Sequence, residues 1–315
     1  MTSVPAHPLR IVFAGSPAAA VPSLQVLARG AHGVLAVLTR EDSALGRKRV
    51  MTPTPVASLA ESLGIPVIKA NRLAGRATEE ITALAPDLGV IVAYGGLVRE
   101  PLLSVPRLGW INLHFSLLPQ WRGAAPVQRA IMAGDDVTGA SVFQLVPELD
   151  AGAVFGQLTQ PIGGNETAGH LLGSLAEAGA ELLARVIDAI ADGSARAEPQ
   201  WGAVTLAPKL TIEDGRIDWQ APAGMVHSRI RGVTPEPGAF TTVDGVRLKI
   251  LDAVRARDRA RLEPGLMDLD GGSVFVGTGS EPIELVTVQP AGRKPMPAAA
   301  WWRGRAGDGP TVAQW

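Results

Sequence analysis

The chain has 315 residues, of which 46% are apolar, no cysteine and a formal net charge of −1 at pH 7. The lack of cysteine excludes disulfides, thiolate metal sites and a thiol nucleophile, and the near-neutral charge argues against wholesale coating of nucleic acid. No apolar run approaches membrane-spanning length and residues 1–8 lack a signal-peptide core, so we expect a cytoplasmic protein with two domains and no membrane partner.

The chain opens with a β-α-β pattern. An apolar run from Leu9 to Ala14 predicts a strand, an Ala- and Leu-rich helix extends to Gly30, and a second strand covers Val34 to Thr39. The first turn carries a single glycine, Gly15, and no G-x-G-x-x-G motif. The dinucleotide fingerprint is therefore missing, which argues against an NAD-dependent enzyme.

A polar loop is predicted from Arg40 to Thr52, because no apolar residues recur there at regular spacing. It contains three adjacent cations, Arg47, Lys48 and Arg49. Such a cluster on a flexible loop is able to follow a phosphate backbone. The alternative is an ordinary solvated surface loop.

The next elements are a helix beginning near Pro55, a short strand at residues 66–69, a helix at residues 78–84 and a strand from Leu88 to Tyr94. The last strand is nearly all apolar, as expected of a parallel strand buried on both faces. It places Tyr94, the only tyrosine, at the edge of the sheet. Its ring either lines a pocket there or closes the core.

The stretch from Gly109 to Asp150 carries the most chemistry. Asn112 and His114 are two residues apart in a predicted strand, so they share a face. A turn rich in proline and glycine follows and leaves them at the carboxyl edge, where open α/β sheets bind ligands. A second apolar strand at residues 140–146 leads to Asp150, which reaches the same edge if the two strands are neighbours.

An amide, an imidazole and a carboxylate suit acyl transfer to an amine. Asn112 is able to donate to the oxygen that becomes negative, His114 to accept the proton from the attacking nitrogen, and Asp150 to orient the ring. The alternative is that each polar group caps or satisfies local structure. Five scattered histidines argue against a metal, since His114 and Asp150 supply two ligands and no third is evident.

The second half begins with an extended segment at residues 155–162 and a helix at residues 167–191, followed by a linker without periodicity. A helix is predicted at residues 223–231, and about five strands follow at residues 239–243, 246–253, 265–269, 273–277 and 283–289. Tight turns such as Asp244-Gly245 join them. Short strands with tight turns are typical of a small closed barrel.

Positive charge is concentrated in this second half. Eight cations stand against four carboxylates between Arg229 and Arg261, a local charge of +4, which fits RNA contact or, alternatively, a solvated charged face. Arg293 and Lys294 add cations near Trp301 and Trp302. These groups are able to grip RNA, although adjacent tryptophans on one helix cannot both face a ligand and more often pack internally.

The central residues resemble a known signature. Asn112, His114, the run Ser116-Leu117-Leu118-Pro119, and Asp150 with Gly152 resemble enzymes that take a formyl group from 10-formyltetrahydrofolate. The run from Trp121 to Gln128 is similar to the methionyl-tRNA formyltransferases within that group, and the likeness extends from Ile11 to about Gly304. Gln120 and Phe115 depart from the usual pattern, so the wall of the pocket is expected to differ there.

The resemblance implies an α/β fold: a Rossmann-like formyltransferase domain with a mostly parallel sheet (1–194), a linker (195–222) and a C-terminal OB-like β-barrel (223–315). It implies transfer of the formyl group from 10-formyltetrahydrofolate to the α-amine of initiator methionyl-tRNA, without a metal or an obligate protein partner. The predicted catalytic residues are Asn112, His114 and Asp150. The predicted folate-binding residues are Tyr94, Gly95, Leu97, Ser116, Leu117, Leu118 and Pro119. The predicted tRNA-binding residues are Arg47, Lys48, Arg49, Arg293 and Lys294.

Two rival functions remain open from the sequence. A formyltransferase acting on an amino sugar or another small amine would not need the basic loop and barrel. A noncatalytic tRNA- or folate-binding module would keep the fold without transferring the formyl group.

Overall fold

The computed structural model describes residues 8–46, 49–305 and 311–314. The chain divides into two compact units, one formed by residues 1–124, 138–160 and 172–207, and the other by residues 125–137, 161–171 and 208–315. Up to residue 207 the strands and α-helices are β1 Arg10–Gly15, α1 Val21–Arg29, β2 Gly33–Thr39, β3 Ser43–Leu45, β4 Val50–Thr52, α2 Pro55–Ser62, β5 Val67–Lys69, α3 Arg76–Ala83, β6 Leu88–Val92, β7 Trp110–His114, β8 Arg122–Gly123, α4 Pro126–Ala133, β9 Val137–Gln144, β10 Val154–Pro161, α5 Ala168–Asp192 and β11 Leu206–Ala207.

The main sheet has the strand order β10-β9-β7-β6-β1-β2-β5. β1 pairs in parallel with both β2 and β6, and β6 pairs in parallel with β7. Every residue of β6 is buried, because helices cover both faces of parallel sheets. The predicted Rossmann-like domain is confirmed, and it brings the end of β6 and the end of β7 to one edge.

One local expectation was wrong, and the structure decides a strand direction that the sequence left open. The segment from Arg40 to Thr52 is not simply a loop, because β3 and β4 pair as an antiparallel hairpin with Ser43 opposite Thr52. The strand leading to Asp150 is a neighbour of β7 as expected, but it is antiparallel, with Gln144 opposite Ile111. β9 therefore ends at the far side of the sheet, and the loop after it must return along β7 to bring Asp150 to His114.

The second unit is built around a β-barrel. Its later elements are α6 Ala223–Gly232, β12 Ala239–Val243, β13 Val246–Arg255, β14 Leu266–Asp270, β15 Ser273–Val276, β16 Ile283–Pro290, β17 Met296–Pro297, α7 Ala298–Arg303 and β18 Thr311–Gln314. The strands follow the order β13-β12-β18-β14-β15-β16-β17, and β13 also pairs with β16, which closes the ring. The OB-like barrel is confirmed.

Among the described residues, six strands form the closed ring of the barrel, whereas the sequence predicted about five. β18 was not predicted, yet it pairs with β12 on one side and β14 on the other. It is four residues long, too short for its alternation to stand out. Closure of the barrel depends on it.

The core of the barrel contains Trp219, whose indole donates to Thr241 Oγ1 at 3.0 Å. Trp301 and Trp302 are partly buried against this core, with their rings edge-to-face at 6.2 Å. The Arg305 guanidinium lies over both rings. The packing alternative for these two tryptophans is therefore the one the structure supports. Among the described residues, no helix has the length and apolarity needed to cross a bilayer.

Candidate active site

His114 is the last residue of β7 and is buried. Its Nε2 lies 2.9 Å from the Trp121 carbonyl oxygen. Because a carbonyl oxygen only accepts hydrogen bonds, Nε2 carries the proton of the neutral ring. Nδ1 is then the basic nitrogen, and it lies 3.8 Å from Asp150 Oδ2.

Burial lowers the pKa of His114 below its ordinary value, while the Asp150 carboxylate and the Trp121 carbonyl partly offset that effect. The neutral ring is therefore the resting form near pH 7. The ring also packs edge-to-face on Phe143 at 6.4 Å, which fixes its plane. A neutral imidazole with a defined tautomer is suited to accept a proton at Nδ1.

Asp150 is held by the loop that follows β7. Its Oδ2 accepts a hydrogen bond from the Gly123 amide at 2.8 Å. Gly123 has a φ of 125°, and a Cβ there would lie 2.7 Å from the Ala207 carbonyl oxygen. Only glycine fits that position. The pairing of β8 with β11 thus positions the Gly123 amide, and this amide holds the Asp150 carboxylate toward His114.

Asn112 lies two residues before His114 and opens onto a cavity. Its Oδ1 is buried and has no hydrogen-bond partner among the described residues. A buried amide without a partner is costly unless a ligand completes it. Oδ1 is therefore free to accept a hydrogen bond from a ligand in the cavity.

The cavity has a volume of about 370 Å³. Apolar side chains from the end of β6 and from the loop after β9 form much of its wall, and Asn112 and Asp150 contribute polar groups. The lining residues are Ile91, Gly96, Leu97, Val98, Arg99, Glu100, Leu103, Asn112, Leu145, Val146, Pro147, Glu148, Leu149 and Asp150. A mostly apolar wall with a few polar groups suits a small organic ligand.

The predicted folate residues fall into different places. Leu97 lines the cavity. The Tyr94 ring is buried in the core with its hydroxyl donating to Ala70 O at 2.6 Å, and the Gly95 carbonyl accepts from Arg40 at 3.1 Å. Neither of these two is a wall residue of this cavity.

The turn from Ser116 to Pro119, which directly follows His114 and Phe115, is held by hydrogen bonds within the protein. Ser116 Oγ donates to Gln120 O at 2.6 Å, and the Leu118 amide donates to Ser141 Oγ at 3.2 Å. Leu118 lines a separate cavity of about 380 Å³, and Leu117 and Pro119 lie in the same turn. These contacts shape the loop, so a folate contact for the turn stays a prediction.

Phe115 is buried and Gln120 is exposed. Neither residue is part of the wall of the 370 Å³ cavity. Their effect on the pocket therefore stays a prediction.

Sequence reasoning missed the contribution of Gln200. Its Nε2 donates to the carbonyl oxygens of Asp150 and Gly152 at 2.7 and 2.9 Å. Its Oε1 accepts from the Arg122 guanidinium at 3.1 and 2.6 Å. No periodicity or motif marks it, because it lies in an irregular segment.

The predicted RNA-contacting cations are only partly described. Arg47 and Lys48 lie outside the described residues, and Arg49 is exposed immediately before β4. Arg293 and Lys294 are exposed in the turn after β16. That turn adjoins a concavity of about 270 Å³ lined in part by Arg247 and Lys249.

No group of three histidine, aspartate or glutamate side chains within the described ranges forms a set of metal ligands.

The chain matches two family models. One described as formyl transferase covers residues 9–187, and one described as the C-terminal domain of formyl transferase covers residues 209–306. A methionyl-tRNA formyltransferase of Clavibacter sepedonicus is 64% identical over 296 residues, covering 94% of this chain and 97% of that protein. One of Leifsonia xyli subsp. xyli is 60% identical over 300 residues, covering 95% and 99%.

Solved structures share the fold at low sequence identity. An N-formyltransferase of Helicobacter canadensis, in complex with folinic acid and dTDP-3-aminofucose, superposes with a TM-score of 0.68 at 17% identity. The alignment covers 90% of this chain and 99% of that one. At this identity the likeness concerns the fold alone.

Proposed function

Because this chain belongs to the methionyl-tRNA formyltransferase family, we propose that it transfers a formyl group from 10-formyltetrahydrofolate to the α-amine of methionyl initiator tRNA. The product, N-formylmethionyl-tRNA, serves translation initiation. The observation that carries the chemistry is the approach of His114 Nδ1 to Asp150 Oδ2 at 3.8 Å, beside a cavity that Asn112 and Asp150 both line.

The identity of the amine substrate rests on the relatives. Proteins that match at 64% and 60% over nearly the full length are methionyl-tRNA formyltransferases. The enzyme with an amino-sugar ligand matches at only 17%. The tRNA substrate is therefore favoured over an amino sugar. Because that substrate is used in translation, we propose that the protein acts in the cytoplasm.

The cavity has the chemistry that a formylated folate needs. Ile91, Leu97 and Leu145 offer an apolar wall to the flat ring system, and Asn112 adds an amide whose Oδ1 has no partner among the described residues. When bound, the folate supplies a formyl carbon that is open to attack. The chain supplies the orientation and the proton transfer.

His114 acts after attack rather than before it. The α-amine of an aminoacyl ester is already largely neutral near pH 7, so no base is needed to generate it. As the new C–N bond forms, the nitrogen becomes positive and its proton passes to His114 Nδ1. The Asp150 carboxylate stabilises the resulting imidazolium, directly or through a water molecule. The ring then returns the proton to the departing folate nitrogen.

Asn112 acts on the oxygen of the same carbon. This oxygen gains negative charge as the amine attacks, and the Asn112 amide donates a hydrogen bond to it. Such a donor is most effective where burial keeps water away. No contribution from a metal is included in this scheme.

The direct test is to incubate the purified protein with 10-formyltetrahydrofolate and charged initiator tRNA, then to determine the mass of the recovered aminoacyl group. We expect formylmethionine. Formylation of an amino-sugar nucleotide with no formylmethionine would support the small-amine alternative. Binding of both substrates without transfer in a single turnover would support a noncatalytic module.

A further inference from the structure

We propose that Gln200 is a positioning residue for Asp150, holding the backbone of this residue in the one conformation that turns its carboxylate toward His114. This inference rests on the proposed function, since it assigns Gln200 a part in the same reaction. Gln200 itself contacts neither His114 nor, by our proposal, either substrate.

The backbone of Asp150 is strained. Its φ is +46°, in the left-handed region that costs energy for residues with a side chain, although aspartate enters it more often than most. Such a conformation persists only where the surroundings impose it, and it is often found at functional sites. Something must therefore hold Asp150, and its own side chain is engaged elsewhere, at the Gly123 amide.

The Gln200 amide meets this need from both ends of a short turn. One NH₂ group bridges the carbonyl oxygens of Asp150 and Gly152 at 2.7 and 2.9 Å. The turn is tightly enclosed at Gly152, where a Cβ would meet the Gln144 carbonyl oxygen at 1.7 Å. The turn therefore has little room to move toward Gln144. Gln200 holds the carbonyl groups of Asp150 and Gly152 by its two hydrogen bonds.

Gln200 is also anchored to the loop that binds the carboxylate. Its Oε1 accepts two hydrogen bonds from the Arg122 guanidinium, and the next residue, Gly123, donates to Asp150 Oδ2. The contacts thus form a closed ring from Gln200 through Asp150, Gly123 and Arg122 back to Gln200. Backbone and carboxylate of Asp150 are set by the same ring.

The segment that carries Gln200 is itself fixed on both sides. Upstream, Glu198 exchanges two backbone hydrogen bonds with Val154, at 2.8 and 2.9 Å. Downstream, β11 pairs with β8. Gln200 therefore has a rigid base from which its amide can hold the Asp150 turn.

Two substitutions separate the halves of this contact. Gln200→Met keeps the length of the side chain and removes every hydrogen bond. Gln200→Glu keeps an acceptor for Arg122 but places oxygen against the carbonyl oxygens of Asp150 and Gly152. Gln160→Ala is the control, because Gln160 is a half-buried glutamine on β10 whose amide donates to Ser174 Oγ rather than to the Asp150 turn.

We expect both Gln200 variants to lower kcat at least tenfold while KM for folate and for tRNA changes less than threefold. The control should match the wild type. Hydrogen exchange supplies a readout that does not need turnover, since the Gly123 amide donates to Asp150 Oδ2. Its exchange should accelerate in Gln200→Met, whereas the Trp121 amide, which donates to Thr205 Oγ1 at 2.8 Å, should keep its protection.

A Gln200→Met protein with kcat within twofold of the wild type would overturn the proposal, as would a slow protein in which Gly123 exchange is unchanged. Loss of protection at Trp121 and throughout the unit would mean a general structural role and would equally overturn it. A wild-type protein that transfers no formyl group refutes the proposed function instead. In that case Gly123 exchange still decides whether Gln200 holds Asp150.

Discussion

At the scale of single residues, the site depends on which nitrogen of His114 is basic. Nε2 donates its hydrogen bond to the Trp121 carbonyl oxygen, so the basic nitrogen is Nδ1, which faces Asp150. Burial keeps the His114 ring neutral at rest, and the Asp150 carboxylate stabilises the charged ring once it forms. This arrangement supports our proposal that the pair serves proton transfer during the reaction rather than a permanent ion pair.

Asp150→Asn provides a test of this arrangement through pH. The Asp150 carboxylate raises the pKa of His114 against the larger effect of burial. Removing that charge should lower the pKa further, so the acid limb of kcat should move to lower pH while kcat at pH 7 falls at least tenfold. The measurement is a pH profile of kcat for both proteins with the same tRNA. A limb displaced to higher pH would contradict the assignment of Nδ1.

Asn112→Ala tests the role of the amide. Losing one such donor typically costs a hundred- to thousand-fold in rate, so we expect kcat to fall about a hundredfold or more. Because Asn112 Oδ1 has no partner among the described residues, its removal leaves none of them without a hydrogen bond to that atom. The free energy of unfolding should therefore change by no more than about 1 kcal/mol.

Asn71→Ala is the control for that prediction, since Asn71 is an exposed asparagine bonded to Glu41. Steady-state kinetics and urea unfolding should be measured on both variants. Near-normal turnover of the Asn112 variant would show that the oxygen is stabilised by another group.

At the scale of elements, the loops after β7 and β9 meet only because β11 is laid beside β8. This two-residue ladder fixes Gly123, and through it the carboxylate of Asp150. In the second unit, α6 contacts β13 of the barrel. His227 on this helix is hydrogen-bonded through Nε2 to the carbonyl oxygen of Ala253 in β13. The folded structure therefore disfavours the protonated, charged form of His227.

His227 makes stability depend on pH. Burial, with a further contribution from Arg231, lowers its pKa to about 4. Because the unfolded chain binds the proton more readily, near pH 6.5, the neutral ring stabilises the fold fully above that value, and this stability is lost as pH falls toward 4. The effect is on the order of 3 kcal/mol.

We therefore expect the free energy of unfolding to drop more steeply between pH 6.5 and 4 in the wild type than in His227→Gln. Urea unfolding at several pH values measures the difference. His170→Gln, at an exposed position on α5, is the matched control and should retain the wild-type slope. An identical slope in His227→Gln would remove this histidine as the cause.

At the scale of the whole molecule, we propose that the cavity beside His114 takes the formyl donor and that the exposed cations contact the anionic tRNA. Among the described residues, the exposed cations of the predicted tRNA-binding set are Arg49 in the first unit and Arg293 and Lys294 in the second. Their expected effect is on affinity for tRNA.

Replacing Arg47, Lys48 and Arg49 with glutamine should weaken tRNA binding and flatten its dependence on salt. Replacing Arg293 and Lys294 should do the same by a smaller amount. Each lost phosphate contact lowers the slope of log K against log salt by roughly 0.7–0.9. If the groups act independently, the two losses add.

Filter binding over a series of salt concentrations measures both slopes. Arg76→Gln is the control, because Arg76 is exposed on α3 and paired with Glu80. An unchanged slope for either set would show that those cations do not contact phosphate.

Much of the fold was readable from the residues themselves. The apolar runs at β1, β2 and β6 identify buried strands because burial requires apolar side chains on both faces. The spacing of Asn112 and His114 places them on one face of a strand by geometry alone. The residues that resemble a formyltransferase signature then pointed to the chemistry, and the family is confirmed.

What the sequence by itself determined is therefore local: which segments are strands and helices, which polar groups stand at a strand end, and which charges cluster along the chain. Only the tertiary structure decided that β9 runs against β7, that β18 closes the barrel, and that Gln200 reaches Asp150 from fifty residues away. The physical reason is that strand direction and long-range hydrogen bonds depend on how distant segments pack, and no local pattern of side chains encodes that packing.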